Sequence, residues 1–97
     1  MKFYGNGLVF YCKPSVEMQH RVGIIASRKV GGAVVRNTFK RRMRELLPTF
    51  LAKFQRPYDC VFIATQAQTA SANFSILQKS LKTIFEKFSH VQHEQTA

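Results

Sequence analysis

The chain has 97 residues, 45% of them hydrophobic, and this length supports one compact domain over residues 1–97 with a modest core, not two domains. Its 15 Lys and Arg residues against 5 Asp and Glu residues give a formal charge of +10, which favours a polyanionic partner such as nucleic acid. An anionic membrane surface is the alternative, but no apolar run reaches the roughly 18 residues of a membrane-spanning helix and no signal peptide opens the chain, so we expect a cytoplasmic protein without a membrane partner.

Three short runs rich in β-branched and aromatic residues predict strands, and turn-forming residues separate them. The predicted strands are Leu8 to Lys13, about Arg21 to Ser27, and Tyr58 to Thr65. Residues 1–7 lead almost directly into the first strand, and the pattern assigns them no element of their own.

Side-chain alternation divides the first two strands between two faces. Tyr11 and Lys13 fall on the face opposite Phe10, and Arg21 and Ser27 fall on that same open face. The core-facing residues predicted in the second strand are Val22, Ile24 and Ala26. An open sheet face with an aromatic ring, two cations and a hydroxyl suits base stacking and phosphate binding.

Two amphipathic patterns predict helices on the other face of the sheet. The first begins near Ala33, and its apolar residues are Phe39, Met43, Leu46, Leu47, Phe50, Leu51 and Phe54. Pro48 predicts either a kink or a helix that ends near Leu47 and is followed by a second short turn. The last helix has the apolar residues Phe74, Leu77, Leu81, Ile84, Phe85 and Phe88, and residues from about 89 to 97 are expected to be frayed or disordered.

The element order strand, strand, helix, strand, helix predicts a two-layer α/β sandwich with helices on one face of a small sheet. Cys12 and Cys60 lie far apart in the sequence within apolar runs, so we expect reduced thiols in the core. His90 and His93 share a helical face in a polar tail, where solvated side chains are expected and not metal ligands.

The acidic residues are few and scattered along the chain, which disfavours a nuclease site built from protein side chains. They are Glu17, Glu45, Asp59, Glu86 and Glu94. We expect Glu45 to form an ion pair with Arg41 or Arg42.

The densest feature is a basic segment, since seven of the fifteen Lys and Arg residues lie between Arg28 and Arg44 with no acid among them. In the predicted helix, Arg36, Lys40 and Arg44 recur every four residues. Like charges at this spacing destabilise an isolated helix by a few tenths of a kcal/mol per pair. The pattern therefore favours contact with a nucleic-acid backbone over a solvated helix face. The other basic residues of the segment are Lys29, Arg41 and Arg42.

Two features of this segment leave alternatives open. Gly31 and Gly32 precede the helix, where they form either a plain tight turn or a turn that presents backbone N–H groups to a phosphate. Asn37 either contacts nucleic acid or caps a helix that starts later than Ala33.

The residues from Arg21 to Glu45 read RVGIIASRKVGGAVVRNTFKRRMRE. This run resembles the signature of the bacterial ribonuclease P protein family, in which a strand ending S-[KR]-K-x-G is followed by A-V and then by R-N-x-x-K-R-x-x-R-E. The matching residues of the last motif are Arg36, Asn37, Lys40, Arg41, Arg44 and Glu45. A weaker similarity extends through the third strand and the final helix.

The resemblance implies a protein subunit of the ribonuclease P ribonucleoprotein. Such a subunit binds the catalytic RNA and the 5′ leader of precursor tRNA, and the RNA removes the leader with bound Mg²⁺. No protein side chain is then catalytic, no metal is bound by the protein, and no obligate protein partner is expected. The alternative is a non-catalytic RNA-binding module such as a ribosomal protein or an RNA chaperone.

The resemblance also implies site residues and a fold. The expected RNA-binding residues are Arg28, Lys29, Arg36, Asn37, Lys40, Arg41 and Arg44. The expected leader cleft comprises Tyr11, Lys13, Arg21 and Ser27. The fold resembles domain 2 of ribosomal protein S5, with a mixed sheet and a left-handed strand–helix–strand crossover, whereas general topology rules alone predict a right-handed one.

The chain departs from the family pattern in two places. Thr38 and Gly32 stand where basic residues are common in the family. The family's basic N-terminal helix, which forms one wall of the leader cleft, is not apparent in residues 1–7. Phe3 and Tyr4 replace part of that wall, pack in the core, or belong to a disordered end.

Overall fold

The computed structural model describes the backbone from Met1 to Thr96 and the side chains from Met1 to Val91. Four strands and three α-helices are present in this part of the chain, with a 3₁₀ turn over Arg28–Val30. In chain order the elements are β1 (Lys2–Gly5), β2 (Leu8–Pro14), β3 (Arg21–Ala26), α1 (Ala33–Leu51), β4 (Tyr58–Ala64), α2 (Ala67–Ala70) and α3 (Phe74–Thr96). Within this part, no helix is both long enough and apolar enough to cross a bilayer.

The strands form one mixed sheet in the order β1-β2-β4-β3. β2 pairs antiparallel with β1 and β4, and β3 pairs parallel with β4. A parallel pair needs a crossover connection, and α1 provides it between β3 and β4. The predicted α/β sandwich is thus confirmed, while the left-handed crossover stays a prediction.

Residues 1–7 form a hairpin strand that the sequence pattern did not predict. β1 and β2 are joined by Asn6 and Gly7, which have φ angles of 50° and 80°. Positive φ at both residues of a two-residue loop is typical of the type I′ turn, for which Asn-Gly is the preferred sequence. The Gly7 carbonyl accepts hydrogen bonds from Thr65, at 3.0 Å from its backbone N and 2.6 Å from its Oγ1. The hairpin is therefore fastened to the end of β4.

Aromatic rings fill the space between the sheet and the helices. The Phe10 ring stacks on Phe62 with centroids 4.8 Å apart, and it meets the edge of Phe50 at 5.7 Å. Phe54 from the segment after α1 stacks on Phe88 of α3 at 4.4 Å. Such pairs contribute about 0.5–1.5 kcal/mol each beyond their area burial. The core therefore joins β2, β4, α1 and α3 on one face of the sheet.

The two cysteines meet in this core. Cys12 of β2 and Cys60 of β4 are direct cross-strand partners, and both are buried free thiols. This confirms the prediction of reduced thiols in the core. Their separation in the sequence gave no sign that the two cysteines are neighbours.

α1 begins at Ala33 as predicted, but it continues through Pro48 to Leu51. The alternative of a helix that ends near Leu47 is therefore wrong. Pro48 has no N–H to donate to the Arg44 carbonyl, which weakens the last turns. Leu47 and Phe50 are buried on either side of it, and their packing keeps the helix continuous.

α3 also extends beyond its predicted end, because the helix continues past Ser89 to Thr96. Val91 packs against the core and prolongs the apolar stripe of α3. The side chains of residues 92–97, which belong to the tail expected to fray and include that of His93, lie outside the described part of the chain.

In β3, the parallel register places Val22, Ile24 and Ala26 opposite the core residues of β4, as predicted. Val22 nevertheless remains 40% exposed. β3 is an edge strand, and a groove separates Val22 from Leu51 and Pro48 of α1. The prediction that Val22 is buried was therefore wrong.

Candidate nucleic-acid interface

A tight turn between β3 and α1 sets the position of the basic segment. Gly31 has a φ of 155°, and a Cβ atom there would lie 2.8 Å from Cγ1 of Val35, so the turn requires glycine. Gly32 is the N-cap residue of α1, and no side chain caps the helix there. Val30 is buried, whereas Arg28 and Lys29 are exposed. The turn thus places two cations beside the start of α1.

We define the basic face by the residues of the 3₁₀ turn and α1 that were predicted to bind RNA, which are Arg28, Lys29, Arg36, Asn37, Lys40, Arg41 and Arg44. Phe39 and Met43 anchor the opposite side of α1 in the core. The structure brings these seven residues together on the surface, with Arg36 and Lys40 half-buried and the others exposed.

The cations of the basic face form no ion pair among the described side chains. The ion pairs found there both belong to Arg21, which contacts Glu17 and Asp59. The predicted ion pair between Glu45 and Arg41 or Arg42 is absent from this part of the chain, so that prediction was wrong. The basic face therefore retains its charge for an external anion.

Asn37 lies inside α1, because the helix begins four residues earlier at Ala33. The alternative in which Asn37 caps a later helix is therefore wrong. Its side chain is exposed among the cations, which is compatible with the predicted contact to a polar ligand.

Arg36 is under an additional constraint. Its Nε atom is shielded from solvent and has no hydrogen-bond partner in the described part of the chain. A shielded donor without an acceptor costs about 1–3 kcal/mol, and more when it is charged. A bound anion that draws the guanidinium outward would relieve this cost.

Arg42 belongs to the basic segment but not to the basic face. Its Nη1 donates a hydrogen bond of 2.7 Å to the carbonyl oxygen of Ala72, in the turn before α3. Arg42 therefore fastens α1 to the start of α3.

The open face of the sheet carries a shallow groove of about 600 Å³. Tyr11, Lys13 and Arg21 line it, as the alternation of β2 and β3 predicted. Tyr11 is 40% exposed and offers its ring to solvent. Ser27 lies beyond the far end of β3, where its carbonyl accepts a hydrogen bond from Val30, so it is closer to the basic face than to the groove.

Arg21 is engaged within the groove. Its Nε and Nη2 donate to the two carboxylate oxygens of Asp59 at 2.8 and 2.7 Å, and Glu17 lies 3.6 Å away. The hydrogen bonds from Arg21 lower the pKa of Asp59 to about 2. Arg21 thus shares its charge with two acids, while Lys13 has no ion pair among the described side chains.

Lys2 and Tyr4 also lie on the open face. Lys2 was absent from the predicted site, and Tyr4 was considered only as one alternative, a partial replacement for the cleft wall. Of that pair, Phe3 is buried in the core, whereas Tyr4 is exposed. The Lys2 Nζ atom lies 4.9 Å from the centroid of the Tyr4 ring and 5.2 Å from that of Tyr11. The signals that could have found them are the Asn6-Gly7 turn and the alternation that places Lys2 and Tyr4 on the same face of β1.

The described side chains include few groups that could hold a metal ion or act as a nucleophile. No cluster of three or more His, Cys, Asp or Glu residues occurs among them, so the donor set does not fit a protein-bound metal. Burial raises the pKa of Cys12 to about 11 and that of Cys60 to about 12, which keeps both thiols protonated and poorly nucleophilic. The described part of the chain offers a polycationic helix face and, on the open face of the sheet, a groove lined by an exposed tyrosine.

Comparisons with known proteins point to one family. The sequence model of the ribonuclease P family matches residues 1–89. A ribonuclease P protein component from Caldanaerobacter subterraneus is 31% identical over 93 residues, and the match covers 89% of this chain and 79% of that protein. The counterpart from Symbiobacterium thermophilum is 39% identical over 74 residues, which cover 76% of this chain and 64% of the relative.

Solved structures show the same fold. The Staphylococcus aureus RNase P protein superposes with a TM-score of 0.74 at 28% identity, covering 89% of this chain and 78% of that one. The Thermotoga maritima RNase P protein gives a TM-score of 0.72, covering 84% of this chain and 77% of that one, and its 22% identity supports likeness of fold alone.

Proposed function

This chain belongs to the ribonuclease P protein family, and from that premise we propose that it binds the RNA subunit of ribonuclease P through the basic face and the 5′ leader of precursor tRNA through the open face of the sheet. Its role is that of the protein component in the removal of the leader, which forms the mature 5′ end of tRNA.

The observation that carries the proposal is the charge of the basic face. Six cations on adjoining elements have no carboxylate partner among the described side chains, and Arg36 holds a shielded donor without an acceptor. Each phosphate contact releases counterions, so such a face binds a folded RNA in a strongly salt-dependent way. The groove adds an exposed tyrosine ring, on which an unpaired base can stack.

Hydrolysis of the phosphodiester bond is assigned to the RNA subunit with Mg²⁺ bound by RNA and substrate. Two observations support this assignment. Glu17 and Asp59 are already paired with Arg21, and the described residues include no donor cluster for a metal ion. The protein then contributes by neutralising phosphate charge and positioning the substrate.

The test is reconstitution with the ribonuclease P RNA at low Mg²⁺, with cleavage and affinity measured for precursor tRNA with and without a leader. The protein alone should cleave neither substrate, and its addition should stimulate the RNA. Tyr11→Ala should weaken binding of the leader-bearing substrate, since stacking on one base is worth roughly 1–3 kcal/mol. Tyr11→Phe should be nearly silent because stacking needs the ring and not the hydroxyl.

Mature tRNA should be indifferent to both Tyr11 variants. Equal losses for substrates with and without a leader would assign Tyr11 to folding or to assembly with the RNA subunit. Cleavage by the purified protein alone would contradict the assignment of chemistry to the RNA.

A further inference from the structure

The hairpin strand β1 brings a second tyrosine to the open face. Lys2 is the direct cross-strand partner of Tyr11, and Tyr4 is that of Val9, so Tyr4 and Tyr11 are diagonal neighbours on the same face. Tyr4 is 53% exposed and Tyr11 40% exposed. Both rings are therefore open to a ligand from the same side.

A cation stands between the two rings. The Lys2 ammonium lies within 5.2 Å of both ring centroids, and no carboxylate pairs with it among the described side chains. The neighbouring Tyr4 and Tyr11 side chains raise the pKa of Lys2, so the charged form is favoured. A single charge flanked by two aromatic faces matches a phosphate that links two bases.

The scaffold behind these side chains is held in place. The Phe3 ring, between Lys2 and Tyr4 in the sequence, is buried against Phe10 at 6.1 Å and Phe88 at 5.9 Å. Lys87 of α3 donates a hydrogen bond of 2.7 Å to the Tyr4 carbonyl oxygen. β1 is thus fixed to both β2 and α3, and its outward side chains are preorganised.

We propose that Lys2, Tyr4 and Tyr11 form a dinucleotide site for single-stranded RNA. One base stacks on each ring, and Lys2 contacts the phosphate between them. The site rests on the proposed function, because the RNA strand that it receives is the leader of precursor tRNA. It assigns to β1 the second ring and the cation that stand beside Tyr11.

The experiment uses the reconstituted ribonucleoprotein and precursor tRNA carrying either a natural leader of several nucleotides or the same leader without bases. Tyr4→Leu keeps the apolar volume of the strand and removes the ring. It should weaken binding of the natural leader by about 5-fold to 150-fold and leave binding of the abasic leader unchanged. Tyr4→Phe should bind both as the unaltered protein does.

Lys2→Gln should weaken both leaders, since each contains the phosphate. It should also reduce the salt dependence of leader binding by about 0.7 in logarithmic slope, as expected for one contact to a single strand. The matched controls lie on α3, which packs on the other face of the sheet. Lys79→Gln and Ile76→Ala change exposed side chains there and should not affect leader binding. Thermal unfolding establishes that each variant is folded.

Two results would overturn the dinucleotide site. In the first, Tyr4→Leu is silent while Tyr11→Ala weakens leader binding, which reduces the site to a single ring and leaves the proposed function intact. In the second, Tyr4→Leu weakens natural and abasic leaders equally, which excludes stacking. Failure of the proposed function is recognised separately, because the unaltered protein would then bind precursor and mature tRNA equally well.

Discussion

Two neighbouring cations of α1 allow the basic face to be tested with matched substitutions. Lys40 lies on the basic face without an ion pair, whereas Arg42 donates to the Ala72 carbonyl. Lys40→Gln and Arg42→Gln each remove one positive charge from the same helix. We expect the first to change RNA binding and the second to change stability.

The expected magnitudes follow from counterion release. Each phosphate contact adds about 0.9 to the slope of log affinity against log salt for a double helix. Six contacts from the basic face give a slope of about −5, so the affinity should fall about 10³-fold between 50 and 200 mM salt. Lys40→Gln should reduce the slope by about 0.9, and its melting temperature should be nearly unchanged.

Arg42→Gln should keep the salt slope of the unaltered protein. It loses a hydrogen bond from a charged donor, worth about 1.5–3 kcal/mol, and the melting temperature should fall by about 10 °C. Fluorescence anisotropy with labelled ribonuclease P RNA at fixed Mg²⁺ measures the slope, and circular dichroism measures the melting temperature. If Arg42→Gln flattened the salt dependence as much as Lys40→Gln does, Lys40 would have no RNA contact that Arg42 lacks.

The buried thiols of Cys12 and Cys60 should react slowly with a thiol reagent at pH 8, because their raised pKa values keep them protonated, and quickly once urea unfolds the chain; fast reaction of the native protein would contradict this. Asp59 should titrate near pH 2 by NMR, and Arg21→Gln should move its pKa towards 3.8. Because the native pKa is depressed, the stabilisation by this pair should be present above about pH 4 and should disappear as the pH falls to about 2. If the pKa of Asp59 stayed near 2 in Arg21→Gln, Arg21 would not be the cause of the lowered value.

The elements that could be predicted are those with a strong local pattern. The start of α1 at Ala33, the alternation around Tyr11 and the core stripe of α3 from Leu77 to Phe88 all follow from periodicity, which short-range geometry determines. Phe74, which the same pattern placed in that stripe, is 40% exposed at the first residue of α3, so its predicted burial was wrong. β1 was missed because a four-residue strand with one large apolar side chain has almost no pattern. The Asn6-Gly7 turn was the available signal.

The remaining differences arise from tertiary contacts that a pattern cannot contain. Val22 lies on the core-facing side of β3, as the alternation predicts, but its exposure depends on where α1 ends above this edge strand. In the sequence, Arg42 resembles its basic neighbours. Only the fold shows that it donates a hydrogen bond to the carbonyl oxygen of Ala72, thirty residues away. The residues proposed to contact RNA came from the family resemblance, and the structure adds that those of the basic face share one surface.

The position of β4 at the centre of the sheet has a consequence for synthesis of the protein. Its partners β2 and β3 both precede it, and Leu8 must pair with Ala64. The sheet therefore cannot close until the ribosome has released β4, and pairing over such a separation is slow. During that interval the basic residues of α1 precede the strand that completes the sheet beneath them, so their charge is present in the nascent chain before the core that positions it.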